Sequence, residues 1–231
     1  MPERSWLRWV TGEFLGSALL VAVMFGSGAV RVQLGVSTVT GALLGSIALG
    51  LGYGMVLWSF GELSGAQTNP FITLLASAMG EQPWSSTVVR IVAQLGGAAA
   101  ATSVVALVPP LWARGDTALA GARGLPEAVA SFGFVLVALG VAQRRDIKVP
   151  FAVGSFATAS VWMTGQATVG NPLLVFSVFL ARGERNWLGL LIALGGALLG
   201  AGLAAAVARY LFPRAPEAAR CLLFLPQDRQ Q

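Results

Sequence analysis

Two Asn-Pro pairs, Asn69-Pro70 and Asn171-Pro172, are the residues of this chain best suited to work inside an apolar environment. Asparagine is a favoured N-cap, and proline suits the first helical position, where its missing N–H costs nothing. The Asn side-chain oxygen can accept a free amide of the helix it caps. The side-chain NH2 is then left to donate into a lumen. A helix N-terminus carries partial positive charge, so two of them aimed at one spot repel cations and suit neutral solutes. Glu13 and Glu127 also stand out, because each lies in an otherwise uncharged run. A carboxylate there is a functional candidate, of the kind a proton-coupled transporter uses.

Other chemistries are excluded by composition. The chain has no histidine and a single cysteine, Cys221. This removes Ser-His triads, His-based acid–base catalysis, His or Cys metal centres and an internal disulfide. No enzyme activity, metal or cofactor is expected. The net charge of +5 comes from basic residues scattered between apolar runs. They read as membrane-topology signals and not as a nucleic-acid surface.

The elements that must position the Asn-Pro pairs are long and apolar. Of 231 residues, 55% are hydrophobic and 11% charged, with a mean hydropathy of +0.72. A soluble domain carries about a quarter charged residues, so this is a multi-spanning membrane protein. Six runs predict spans, at about 10–30, 39–60, 88–108, 127–142, 149–165 and 187–212. The first is too long for a cleaved leader. The fourth and fifth are short against the roughly 20 residues a crossing needs. Pro70–Met79 and Pro172–Ala181 are shorter still, about half a bilayer each at ~1.5 Å per residue. They suit either interfacial helices or a pair of re-entrant half-helices.

A repeat favours the half-helices. Glu13, Gly45-Ser46, Asn69-Pro70 and Leu95-Gly96-Gly97-Ala98 recur in order as Glu127, Gly154-Ser155, Asn171-Pro172 and Leu194-Gly195-Gly196-Ala197. The offsets fall smoothly from 114 to 109, 102 and 99. Three spans per half is odd, so the second half enters from the opposite side as an inverted repeat. The Gly pairs read as close helix contacts, and Trp6, Trp9, Trp84 and Trp187 as interface anchors. Ten basic residues, among them Arg8, Arg90, Arg144, Arg145 and Lys148, fall on one side and five on the other. That places both termini in the cytoplasm. The expected organisation is a single domain over 1–231, with repeat one at about 8–110, repeat two at about 125–212 and a polar tail from 213.

Leu63-Ser64-Gly65-Ala66-Gln67-Thr68-Asn69-Pro70-Phe71-Ile72-Thr73-Leu74 resembles the first signature of the major intrinsic proteins, the aquaporins and glycerol facilitators. Gly12-Glu13-Phe14-Leu15-Gly16 and Ala93-Gln94-Leu95-Gly96-Gly97 resemble that family's first and third spans. The second box, Val169-Gly170-Asn171-Pro172-Leu173-Leu174, is more degenerate. The resemblance implies six transmembrane helices, two re-entrant half-helices, a homotetramer in the cell (inner) membrane, and a pore through each subunit. It implies Asn69, Pro70, Phe71, Asn171, Pro172 and Leu173 at the pore midplane. It implies Glu13, Glu127, Gln67 and Gln94 in structural roles, with both carboxylates accepting from the loops that lead to the half-helices.

The family's outer filter maps onto Leu49, Thr168, Leu174 and either Val161 or, counting back from Asn171, Ala159. The departures matter. The Ala usual in both boxes is Phe71 and Leu173, the first-box His is Gln67, and the filter Arg is Leu174. An apolar filter suits partly apolar neutral solutes better than water. Glycerol-like polyols are the expected cargo, the resemblance to bacterial members without the filter Arg implies undissociated metalloid acids such as arsenous acid as well, and water is a further candidate. The alternatives are an occluded pore, a proton-coupled transporter using Glu13 or Glu127, and a protein that conducts nothing.

Overall fold

The computed structural model describes residues 5–33, 35, 37–107, 124–142, 149–182 and 186–212. Within them lie eight helices and no strand. They are α1 (Ser5–Gln33), α2 (Thr38–Ser64), α3 (Pro70–Ala78), α4 (Trp84–Leu107), α5 (Gly124–Ala142), α6 (Val149–Thr164), α7 (Pro172–Arg182) and α8 (Trp187–Leu211). Arg4, Arg114, Arg123, Arg144, Arg145, Lys148, Arg185, Cys221 and the tail from 213 lie outside the described residues. The charge pattern from which an orientation is expected rests largely on these.

Five helices, α1, α2, α4, α5 and α8, are long and apolar enough to cross a membrane. The sixth span, α6, has 16 residues, or roughly 24 Å of helix. It is short by length, as its sequence suggests. Outward faces carry Leu51, Met55, Leu199 and Leu203, an apolar surface of the kind lipid requires. Trp6, Trp84 and Trp187 are exposed near helix ends. Trp9 instead lies under the Arg90 guanidinium, 4.5 Å from ring centroid to Cζ.

The two short helices start where the Asn-Pro pairs place them. Asn69 Oδ1 accepts from Phe71 N at 2.9 Å, and Asn171 Oδ1 from Leu173 N at 3.0 Å. With 9 and 11 residues, α3 and α7 together span roughly one bilayer core.

The packing obeys the repeat: α1 pairs with α4 and α2 as α5 pairs with α8 and α6, and α2 meets α6 across the halves. The register, however, differs from the one the Gly-Gly motifs suggest. A Cβ on Gly97 would collide with the Phe14 carbonyl oxygen, and a Cβ on Gly200 with that of Ala128. Phe14 and Ala128 each follow the buried glutamate, so the partner of Gly97 is Gly200, not Gly196. The offset is 103, close to the 102 of the Asn-Pro boxes. Gly196 makes its own close contact, with the Gly124 carbonyl, whereas Gly195 has nothing within 4 Å.

Candidate functional site

The site is built around two turns that precede α3 and α7. Both contain left-handed backbone at residues with side chains: φ is +40° at Ala66, +38° at Thr68 and +47° at Val169. Such residues cost on the order of 1 kcal/mol or more each, so the surroundings must hold them. In the first turn the holder is Glu13, fully buried on α1. Its carboxylate accepts from Gln67 N and Thr68 N, both at 3.1 Å. It also accepts from Gln94 Nε2 at 2.8 Å and Arg90 Nη1 at 3.0 Å. Charge-assisted bonds of this kind are roughly twice as strong as neutral ones. Arg90 further donates to the Ser64 carbonyl.

In the second turn Glu127, equally buried, accepts from the Thr168 hydroxyl. Thr168, which the family resemblance assigns to the outer constriction, therefore turns its side chain toward α5 and is 3% exposed. The two carboxylates act alike on their loops but with different donors. At the packing register of 103, α4 presents Arg90 and Gln94 where α8 presents Ala193 and Ala197.

The two boxes meet head to head. Asn171 Nδ2 donates to the Thr68 carbonyl at 2.9 Å and to the Tyr53 hydroxyl at 3.0 Å. This corrects the expectation of a free NH2 at Asn171: both amide hydrogens are taken, one by each element. The physical reason is Tyr53 of α2, whose ring packs against Phe134 of α5 at 5.3 Å between centroids. Sequence reasoning missed Tyr53, although a signal was available. It lies four residues after Leu49, hence on the same face of α2.

The remaining assigned positions are mostly buried. Asn69, Pro70, Asn171, Pro172, Leu173, Leu174 and Leu49 are buried, and Phe71 is half-buried against the core. Between the two candidates on α6, Val161 packs on the core while Ala159 is exposed. Gln67 does hydrogen-bond, donating through Nε2 to Gln82 Oε1 at 2.9 Å. Gln82, which follows α3, in turn donates to the Thr73 carbonyl near the start of that helix at 3.0 Å. Among the described residues no cluster of carboxylates or thiols could hold a metal.

What this arrangement offers is a neutral, donor-rich junction between two helix N-termini, walled by apolar side chains. The chain as a whole is similar to known proteins. A family model described as Major intrinsic protein matches residues 2–208. The aquaglyceroporin AqpS of Rhizobium meliloti is 32% identical over 189 residues, covering 80% of this chain and 79% of its own. The glycerol uptake facilitator protein of Bacillus subtilis is 28% identical over 82% of this chain and 79% of its own. The aquaglyceroporin from Plasmodium falciparum has a similar structure, with a TM-score of 0.72 over 91% of this chain and 98% of that one. At 19% identity, that likeness is one of fold. The chain belongs to the major intrinsic protein family, whose members are passive membrane channels for small neutral solutes and not enzymes.

Proposed function

We propose that this channel passes glycerol-like polyols and undissociated metalloid acids such as arsenous acid, and passes water less readily. The observation that carries this reading is Leu174, three residues after Asn171 and completely buried on the first turn of α7. With Leu49 and Val161 it supplies an apolar lining, with no cation to bind water or narrow the passage. Such a lining favours solutes that bring carbon or metalloid surface as well as hydroxyls.

The same reading assigns Asn69, Pro70, Phe71, Asn171, Pro172 and Leu173 to the midplane, and Leu49, Val161, Leu174 and the Thr168 backbone to the outer constriction. It assigns a homotetramer in the inner membrane, with both termini cytoplasmic. A proton-coupled transporter is the weaker alternative. Glu13 already accepts four donors, one of them Arg90, which leaves little reason for it to carry a proton across.

The experiment is stopped-flow light scattering on proteoliposomes, with glycerol entry and water efflux each compared with empty liposomes. Glycerol entry well above control with modest water efflux is the expected result. Accumulation driven by a pH gradient would instead make the protein a transporter.

A further inference from the structure

We propose that Tyr53 is the closing element of the pore, and that a solute passes by taking its place on Asn171. The inference rests on the channel reading above.

Asn171 cannot turn away from the junction, because its Oδ1 is held as the cap of α7 by Leu173 N. Of its two amide hydrogens, one goes to the Thr68 carbonyl. That acceptor is main chain in a turn fixed by Glu13, so it is not free to leave. The other goes to the Tyr53 hydroxyl, which ends a side chain with two rotatable bonds. Tyr53 and Asn171 are 1% and 0% exposed, so no water-sized space adjoins their contact. The Asn171 donor reaches a permeating hydroxyl when the phenol withdraws.

The phenol, not the helix, must move. A Cβ on Gly50 or Gly154 would collide with the backbone of the other residue's helix. A Cβ on Gly52 would meet Val23 Cγ1 at 2.6 Å. The backbone of α2 on both sides of Tyr53 is therefore pressed against α6 and α1, and sliding it would disturb both contacts. Rotation of the Tyr53 ring off Phe134 leaves those contacts intact. A hydroxyl-bearing solute can replace the phenol one for one as acceptor from Asn171. A solute without an acceptor would leave that amide unpaired, which buried donors resist. The exchange thus selects for hydroxyl-bearing cargo in the same step that opens the path.

The test compares wild type, Tyr53→Ala and Tyr53→Phe in proteoliposomes, with insertion verified by size exclusion after re-extraction. Tyr53→Ala removes ring and hydroxyl and is expected to raise glycerol entry at least about tenfold. Tyr53→Phe keeps the ring on Phe134 and removes the hydroxyl. It is expected to raise entry by a smaller factor, roughly two- to fivefold, because one hydrogen bond no longer has to be displaced. If wild type conducts and both variants only equal it, Tyr53 is not the closing element, while the channel reading stands. If all three proteins are folded and silent, the channel reading itself falls. Should Tyr53→Ala fail to insert, Tyr53→Phe decides, and entry unchanged from wild type overturns the proposal.

Discussion

Arg90 of α4 donates to Glu13 of α1 at 3.0 Å inside the helix bundle, and both side chains are closed to solvent. The pair fixes the first Asn-Pro turn, because Glu13 is also the acceptor for Gln67 N and Thr68 N. A buried ion pair is costly to break from one side, since the remaining charge keeps its desolvation penalty without its partner. Arg90→Gln should therefore lose about 3–5 kcal/mol, read as a Tm lowered by roughly 10 °C in detergent. Glu13→Gln with Arg90→Gln leaves no orphaned charge and should lose less than the two single losses added. Strict additivity in that cycle would mean that the two groups do not act as a pair.

The glycines sort into packed and open positions. A Cβ on Gly97 would enter the Phe14 carbonyl oxygen, so Gly97→Ala must push α1 and α4 apart. A core overpacked against side chains loses about 1–3 kcal/mol, and backbone yields less readily. Gly195 has open space around it. Gly195→Ala should be neutral or gain about 0.5–1 kcal/mol from helix propensity. Melting curves of both variants check the contrast, and a Gly97→Ala protein as stable as wild type would refute the close contact.

The two Asn residues differ in what an acid would do to them. Asp at position 69 can still accept from Phe71 N and keep the cap of α3. At position 171 a carboxylate would turn an oxygen toward the Thr68 carbonyl, so that two acceptors face one another where a donor now sits. Asn171→Asp is therefore expected to cut glycerol flux by at least about tenfold and to lower stability, because a buried acceptor loses its partner. Asn69→Asp should cut flux less. Equal and undiminished flux in both would remove the midplane donors from the mechanism.

Much of this architecture was legible because its signals are local. An Asn cap, a Pro at the first helical position and an apolar run of ten residues define α3 and α7 almost to the residue. The repeat then gives their opposed entry. What escaped notice depends on partners distant in sequence. Tyr53 gains its role from Asn171, 118 positions away. Arg90 reads as a topology charge at the end of an apolar run until Glu13, 77 positions away, draws it inside. Thr168 is the residue before the second box by sequence, and the partner of its hydroxyl, Glu127, lies 41 positions away. The register of Gly97 against Gly200 was hidden because α8 carries glycine at 189, 195, 196, 200 and 202, and which of them meets a backbone is decided by packing.

Leu174 is the position at which substrate preference should be most easily moved. It is fully buried on the first turn of α7, in the same apolar cluster as Leu49 and Val161. Arginine there brings a charge and five donors in a rigid fork, and it must place them in the lumen because the surrounding core offers only apolar side chains. The guanidinium would hold water by hydrogen bonds and would narrow the path for anything wider. Leu174→Arg should lower the ratio of glycerol to water permeability by about tenfold, corresponding to roughly 1.4 kcal/mol of discrimination between the two solutes. The ratio is the quantity to measure, since it is insensitive to the amount of protein reconstituted. A ratio that rises instead would show that Leu174 restricts carbon-bearing solutes and does not welcome them, and the apolar-filter reading would have to be abandoned.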